Sequence, residues 1–165
     1  MGTGKTTVGR IVAARLGYEF VDSDEIIEAE HGPIPDLFAA HGEARFRELE
    51  REVARDLAAR RGLVIATGGG LMLDDRNVTA LAASGAVVCL TADVDTIIDR
   101  TITPGGRARP LLAGDDPRTR VDELLVARAH AYGRFAQIDT SDSTPAEVAD
   151  SIVELVRSLQ PPDGR

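Results

Sequence analysis

Lys5 is the only lysine in a chain with eighteen arginines, and it stands in Gly2-Thr3-Gly4-Lys5-Thr6-Thr7. Glycines followed by Lys and Thr in that order form the second half of a phosphate-binding loop, G-x-x-x-x-G-K-[ST]. A compact ammonium at this one position suits a point charge between the β- and γ-phosphates. Backbone N–H groups from Gly2 to Thr7 opening a helix would add unpaired donors and the positive end of the helix dipole. Asp22-Ser23-Asp24 supplies two carboxylates two residues apart. In an extended backbone they would point the same way, into the crevice beside the phosphates. Thr6 and Asp22 are then the candidates to hold Mg²⁺ with the nucleotide, and Asp24 is free to accept a proton or, alternatively, to cap the helix starting at Glu25.

Further along, Arg47 and Glu50 sit three apart on a helix that also carries Arg45, Glu48, Arg51, Glu52 and Arg55. An Arg steadied by a Glu makes a carboxylate receptor, but spacing alone does not separate this pair from an ordinary solvated charge face. Gly68-Gly69-Gly70 follows an apolar strand and would let a ligand or side chain approach the backbone closely; the alternative is a structural turn. The segment 101–118, with three prolines, three glycines and Arg107, Arg109 and Arg118, is either a lid bringing a cation to the transferring phosphoryl or a surface loop. His31, His41 and His130 lack metal-ligand spacing.

These residues need a scaffold. Helices are expected over 6–16, 25–30, 35–40, 42–61, 75–84, 93–100, 121–135 and 145–159, and strands over 18–21, 63–67, 86–91 and 137–140. Short strands without alternation, separated by helices, predict an α/β fold of the P-loop NTPase type, a parallel sheet with helices on both faces. Ligands in such sheets sit beyond the carboxyl ends of the strands, where Asp22-Ser23-Asp24 and Gly68-Gly69-Gly70 lie.

The chain has 165 residues, 43% hydrophobic and 28% charged, with a formal charge of −8. That size fits one domain, and the acidic balance argues against nucleic-acid or anionic-membrane partners. Cys89, the only cysteine, lies in an apolar run and is expected to be a buried, inert thiol. No run is apolar and long enough to span a bilayer, and the N-terminus has no leader-like pattern, so a cytoplasmic protein is expected.

Taken in order, the phosphate loop, Asp22-Ser23-Asp24, Phe46-Arg47 with Glu50, Gly68-Gly69-Gly70, Arg109-Pro110-Leu111-Leu112, Arg128 followed by Tyr132, and Ile138-Asp139-Thr140 with Pro145 resemble the shikimate kinase family over nearly the whole chain. The resemblance implies transfer of the γ-phosphoryl of ATP to the 3-hydroxyl of shikimate, with Mg²⁺ as cofactor, in aromatic amino-acid (chorismate) biosynthesis. It assigns the phosphates to Gly2, Thr3, Gly4, Lys5, Thr6 and Thr7, the metal to Thr6 and Asp22, and acceptor orientation or deprotonation to Asp24. The shikimate carboxylate falls to Arg47 and Arg128, with Glu50 steadying them and Gly68, Gly69 and Gly70 facing the ring. Arg109 would contact ATP and stabilise the transition state. The expected organisation is a domain over 1–160 with a lid at about 101–118 and a tail at 161–165. The expected partners are ATP and shikimate, with no nucleic acid and no membrane, and the enzyme is expected to be a monomer. A gluconate- or nucleotide-type P-loop kinase, or a non-catalytic nucleotide-binding module, are the alternatives.

Two departures from the family pattern stand out. The interval from Arg100 to Arg109 is slightly long, which puts an adenine-stacking role for Arg100 in question. The first P-loop glycine and the central strand before it have no counterpart, and loss of about five buried side chains at about 1.5–3 kcal/mol each would rival a domain's net stability. On that ground the chain is expected to be N-terminally shortened, to fold poorly and to turn over slowly.

Overall fold

The computed structural model describes residues 2–102 and 116–159. The elements, in chain order, are α1 (Lys5–Leu16), β1 (Glu19–Asp22), α2 (Ser23–His31), α3 (Ile34–Ala59), β2 (Leu63–Ala66), a 3-10 turn (Leu71–Leu73), α4 (Asp75–Ser84), β3 (Val88–Thr91), α5 (Val94–Ile102), α6 (Pro117–Tyr132), β4 (Ala136–Asp139) and α7 (Pro145–Leu159). The strands form two parallel pairs, with Phe20 opposite Val64 in β1–β2 and Leu90 opposite Ile138 in β3–β4. Among the described residues they do not join into one continuous sheet.

Helices nevertheless cover both faces. Val8, Val12, Val148, Ala149 and Val153 of α1 and α7 form one core cluster, and Val64, Leu90 and Ile138 pack against it from three strands. On the other side, Ile27, Phe46, Leu49, Val53, Leu57 and Leu81 of α2, α3 and α4 form a second cluster, joined by Val21 and Ile65. Neighbouring residues Val64 and Ile65 thus serve opposite faces, the period-2 alternation of a strand. Arg15 ties α1 to α7 through the Ala146 carbonyl at 2.9 Å and the Asp150 carboxylate at 2.7 Å.

The helices foreseen at 35–40 and 42–61 are both present: α3 spans the two, and Gly42, with φ 73° and ψ 174°, breaks the helical geometry between them. A positive φ is favoured by glycine, so Gly42 is where the first of the two ends and the longer one starts. Other expectations need correction. The helix foreseen at 121–135 begins earlier, at Pro117. Asp116 caps it, accepting from the N–H groups of Arg118 and Thr119 at 3.1 and 3.3 Å. Arg118 is therefore a first-turn helical residue paired with Asp95, not part of a loop over the site. Arg107 and Arg109, most of the foreseen lid and the tail at 161–165 lie outside the described residues.

Candidate active site

Gly2 and Gly4 both take positive φ, 70° and 82°, which glycine adopts without the Cβ penalty. Gly4 is the N-cap of α1 and has no side chain to satisfy the helix amides, while its carbonyl accepts the first helical bond, from Val8 N–H at 2.9 Å. The opening of α1 is therefore a row of backbone donors with Lys5 beside it, the arrangement that attracts phosphate.

The end of β1 delivers the acidic pair. Asp22 is extended, with φ −116° and ψ 122°, and its Oδ1 accepts from Asp24 N–H at 3.0 Å, capping α2. Its Oδ2 accepts from the Thr6 hydroxyl at 3.2 Å. The cap is thus Asp22 and not Asp24, and the two carboxylates are not successive positions of one extended strand, because Ser23 and Asp24 already belong to α2. The helical turn separates their tasks: Asp22 turns to Thr6, and Asp24 turns to the triple glycine. Thr6 and Asp22 bring one hydroxyl and one carboxylate together next to the phosphate loop. Two hard oxygens with room for water and phosphate oxygens fit Mg²⁺, which keeps much of its hydration.

Behind β2, each of the three glycines meets a different functional side chain. A Cβ on Gly68 would overlap Asp24 Oδ1 and lie 2.9 Å from its Cγ; one on Gly69 would lie 3.2 Å from Arg128 Nη1; one on Gly70 would overlap Arg47 Nη1 and lie 2.9 Å from its Cζ. The run is therefore a surface of close approach, and it gathers Asp24, Arg47 and Arg128 from α2, α3 and α6. Two further contacts lock it. Ser23, fully buried, accepts from Gly68 N–H at 2.8 Å, and the Tyr132 hydroxyl donates to the Gly69 carbonyl at 3.0 Å. Burial pushes the Tyr132 phenol above its usual range, so it remains a donor.

Arg47 is held on two sides. Its Nη1 donates to Glu50 Oε2 at 2.6 Å, and its Nε and Nη2 donate to Glu43 Oε1 at 3.1 and 2.8 Å. Burial opposes its charge, yet the hydrogen bonds from Glu50 and Glu43 leave its pKa raised. Glu50 is 1% exposed, and its Oε1 has no hydrogen-bond partner among the described residues. Burial raises the Glu50 pKa, and the Arg47 bond only partly offsets it. Arg45, by contrast, turns to Glu48 and Glu52 in solvent. The choice among the charges of this helix, open from spacing alone, falls on Arg47 and Glu50.

On the nucleotide side, Thr140 at the end of β4 is buried. Its hydroxyl lies 3.0 Å from the Thr91 carbonyl and 3.4 Å from the Thr3 carbonyl of the phosphate loop. Arg100 donates to that hydroxyl at 2.9 Å and to the Thr140 carbonyl at 2.6 Å. This guanidinium braces the loop after β4. Cys89, expected to be buried, is half-buried, and burial pushes its thiol up.

Glu43 was not foreseen as a site residue, and Ser23 and Thr140 were foreseen only as members of the Asp22-Ser23-Asp24 and Ile138-Asp139-Thr140 motifs, the latter in a stretch resembling the family's adenine-binding loop, with no role of their own. Glu43 carried a signal, since it lies four residues before Arg47 on the same helix face. Ser23 and Thr140 act through contacts between distant segments that no local spacing marks. Among the described residues no group of three or more His, Cys, Asp or Glu side chains could hold a metal by itself, and no helix is long and apolar enough to cross a membrane.

Comparison with known proteins points to one family. The sequence model described as shikimate kinase matches residues 1–157. The shikimate kinase of Thermodesulfovibrio yellowstonii is 43% identical over 162 residues, covering 96% of this chain and 92% of its own. That of Symbiobacterium thermophilum is 42% identical, covering 97% and 92%. Among solved structures, shikimate kinase from Acinetobacter baumannii in complex with shikimate superposes with a TM-score of 0.87 at 39% identity, covering 96% of this chain and 89% of that one. The enzyme from Bacteroides thetaiotaomicron gives 0.84 at 30% identity, covering 95% and 94%.

Proposed function

The chain belongs to the shikimate kinase family, a phosphotransferase acting on an alcohol with ATP as co-substrate, and we infer from its site how the reaction is divided among its residues. The reaction moves the γ-phosphoryl of ATP to the 3-hydroxyl of shikimate. The observation that carries the assignment of roles is the convergence of Asp24, Arg47 and Arg128 on three consecutive glycines.

Arg47 and Arg128 grip the shikimate carboxylate. A planar fork matches a carboxylate, and Glu43 and Glu50 hold the Arg47 fork in place before substrate arrives, which lowers the cost of ordering it. Removal of side-chain bulk at Gly68, Gly69 and Gly70 lets the ring lie against backbone. Asp24 faces the acceptor end: the 3-hydroxyl oxygen forms the new bond to the γ-phosphorus as the bond to the β–γ bridging oxygen breaks. The hydroxyl proton passes to the Asp24 carboxylate.

Lys5 and the amides of Gly2, Thr3, Gly4, Thr6 and Thr7 stabilise the phosphate charge. Thr6 and Asp22 are the residues that would hold Mg²⁺, which supplies charge neutralisation on the β- and γ-oxygens. Arg109 has the transition-state role in this reading. The same reading has one domain over 1–160, acting as a monomer in the cytoplasm without nucleic-acid or membrane partners; the charge of −8 supports small-molecule substrates over polyanions.

A coupled assay for ADP release tests the assignment, with shikimate, gluconate and a nucleoside monophosphate offered in parallel. Turnover with shikimate alone is expected. Arg47→Ala and Arg128→Ala should each raise KM for shikimate about 10- to 100-fold while KM for ATP stays within about twofold. Equal loss with both substrates would overturn the division of roles.

A further inference from the structure

Arg128 grips the substrate carboxylate, while Tyr132, one turn further along α6, has no part in the chemistry. Its ring packs against the core cluster that contains Leu49 and Leu81, a duty Phe would serve equally well. The hydroxyl adds nothing to that packing, and a half-buried phenol needs a partner. The partner it takes is the Gly69 carbonyl, at 3.0 Å.

Gly69 has glycine on both sides, the most mobile backbone a chain can have, so its position must be set from outside. Three hydrogen bonds tie the run to α2 and to the turn that follows it. Gly68 N–H donates to the Ser23 hydroxyl oxygen at 2.8 Å, Leu71 N–H to the Gly68 carbonyl at 3.2 Å, and Leu73 N–H to the Gly70 carbonyl at 3.0 Å. Among the described residues, the Tyr132 bond is the one that ties the run to α6. Arg128 lies four residues before Tyr132 on the same helix face. Its Nη1 stands 3.2 Å from where a Cβ on Gly69 would be, and Arg47 Nη1 meets Gly70, the next residue. The two guanidinium groups are thus referenced to neighbouring Cα atoms about 3.8 Å apart. How far they stand from each other depends on how closely α6 approaches the run. Arg134, just beyond α6, donates to the Met72 carbonyl at 3.3 Å and to Asp75 at 2.7 Å. The end of α6 therefore stays docked without the hydroxyl, and what changes is the spacing one turn earlier.

We propose that Tyr132 is a positioning residue: its hydroxyl, by way of the Gly69 carbonyl, sets the spacing of Arg128 from Arg47 that a substrate carboxylate requires. This rests on the reading that both arginines take that carboxylate. A grip shared by two groups on different helices tolerates little misplacement, so a small loss of register between α6 and the glycines weakens it.

Steady-state kinetics on Tyr132→Phe, Arg128→Ala and the double variant, each beside a thermal melt, test this. Tyr132→Phe is expected to raise KM for shikimate about 3- to 10-fold. Its kcat and KM for ATP should stay within about twofold, and its melting midpoint within about 4 °C of the parent. In the Arg128→Ala background the same substitution should change KM for shikimate by less than about 1.5-fold, because the group it positions is gone. The inhibition constant of the methyl ester of shikimate, which presents no carboxylate, should not respond to Tyr132→Phe. An equal factor in both backgrounds, an equal rise in KM for ATP, or an unchanged KM for shikimate in Tyr132→Phe would overturn the proposal and leave Tyr132 a packing residue. An unchanged KM for shikimate in Arg128→Ala would remove the reading of the carboxylate grip itself, and this proposal with it.

Discussion

The guanidinium of Arg47 occupies the space that a side chain on Gly70 would need. Gly70 itself has φ −111° and ψ −18°, values any residue adopts. Its lack of a Cβ therefore serves Arg47 and not the backbone. Gly70→Ala should leave the unfolding midpoint within about 2 °C and raise KM for shikimate about tenfold or more, as displacement of a charged hydrogen-bond donor costs about 1.5–3 kcal/mol. Steady-state kinetics beside a thermal melt checks it; a large drop in stability with unchanged KM would contradict it.

Replacing Glu50 separates orientation from stability. Burial raises its pKa despite the Arg47 bond, so the native state binds its proton more tightly than the unfolded chain does. Its contribution to stability is accordingly greatest at low pH. It declines as pH rises from the unfolded value of about 4.3 through the higher folded value. Glu50→Gln keeps the shape and removes this dependence. At neutral pH its melting temperature is expected to equal or exceed that of the parent, while KM for shikimate rises severalfold because Arg47 loses a charged partner. Melts from pH 4 to 8 and kinetics at pH 7.5 supply both numbers.

Asp93 gives the opposite sign. Its pKa is lowered to about 2, first by the Thr96 backbone N–H and then by the Thr96 and Ser141 hydroxyls. The stabilisation is present above the unfolded value of about 3.9 and disappears as pH falls through about 2. Asp93→Ala should melt at a lower temperature than the parent at pH 7, with the gap closing steadily between pH 4 and pH 2. A gap that stays constant over that interval would exclude ionisation as its source.

Lys5→Arg should not rescue Lys5→Ala. Both are expected to lower kcat by about 10² to 10³, because a broad fork cannot replace a point charge between two phosphates. Isothermal titration with ADP should show weakened binding in both, and shikimate binding should be unchanged.

Asp24→Asn tests proton acceptance. A fall in kcat of about 10² to 10⁴ with nucleotide affinity retained is the expected pattern. Because Asp22, not Asp24, caps α2, helix content by circular dichroism should not change. Loss of helix would mean that the substitution acts on the fold.

Much of the site was readable before any coordinates. Gly4-Lys5-Thr6 announces itself by order, and α4 and α7 have the bounds expected of them, Asp75–Ser84 and Pro145–Leu159. Extended-strand reasoning failed at Asp24 because a helix starts one residue after Asp22, a boundary that an Asp-Ser-Asp triplet leaves ambiguous. The loop expected up to Arg118 failed for a related reason: Pro117 suits the first turn of a helix, and Asp116 is a good cap. The pairing of each glycine with its own cationic or acidic partner could not be read, since it depends on how α2, α3 and α6 meet behind β2.

A single proton joins the two halves of the nucleotide side. The Thr140 hydroxyl has two carbonyls within reach, Thr91 at 3.0 Å and Thr3 at 3.4 Å, and Arg100 already fills its acceptor role. With one hydrogen to give, it satisfies the strand end or the phosphate loop, never both fully. Any rearrangement that draws the Thr3 carbonyl nearer by a few tenths of an ångström would take this bond away from Thr91, so β3 and the glycine turn are competitors for one donor.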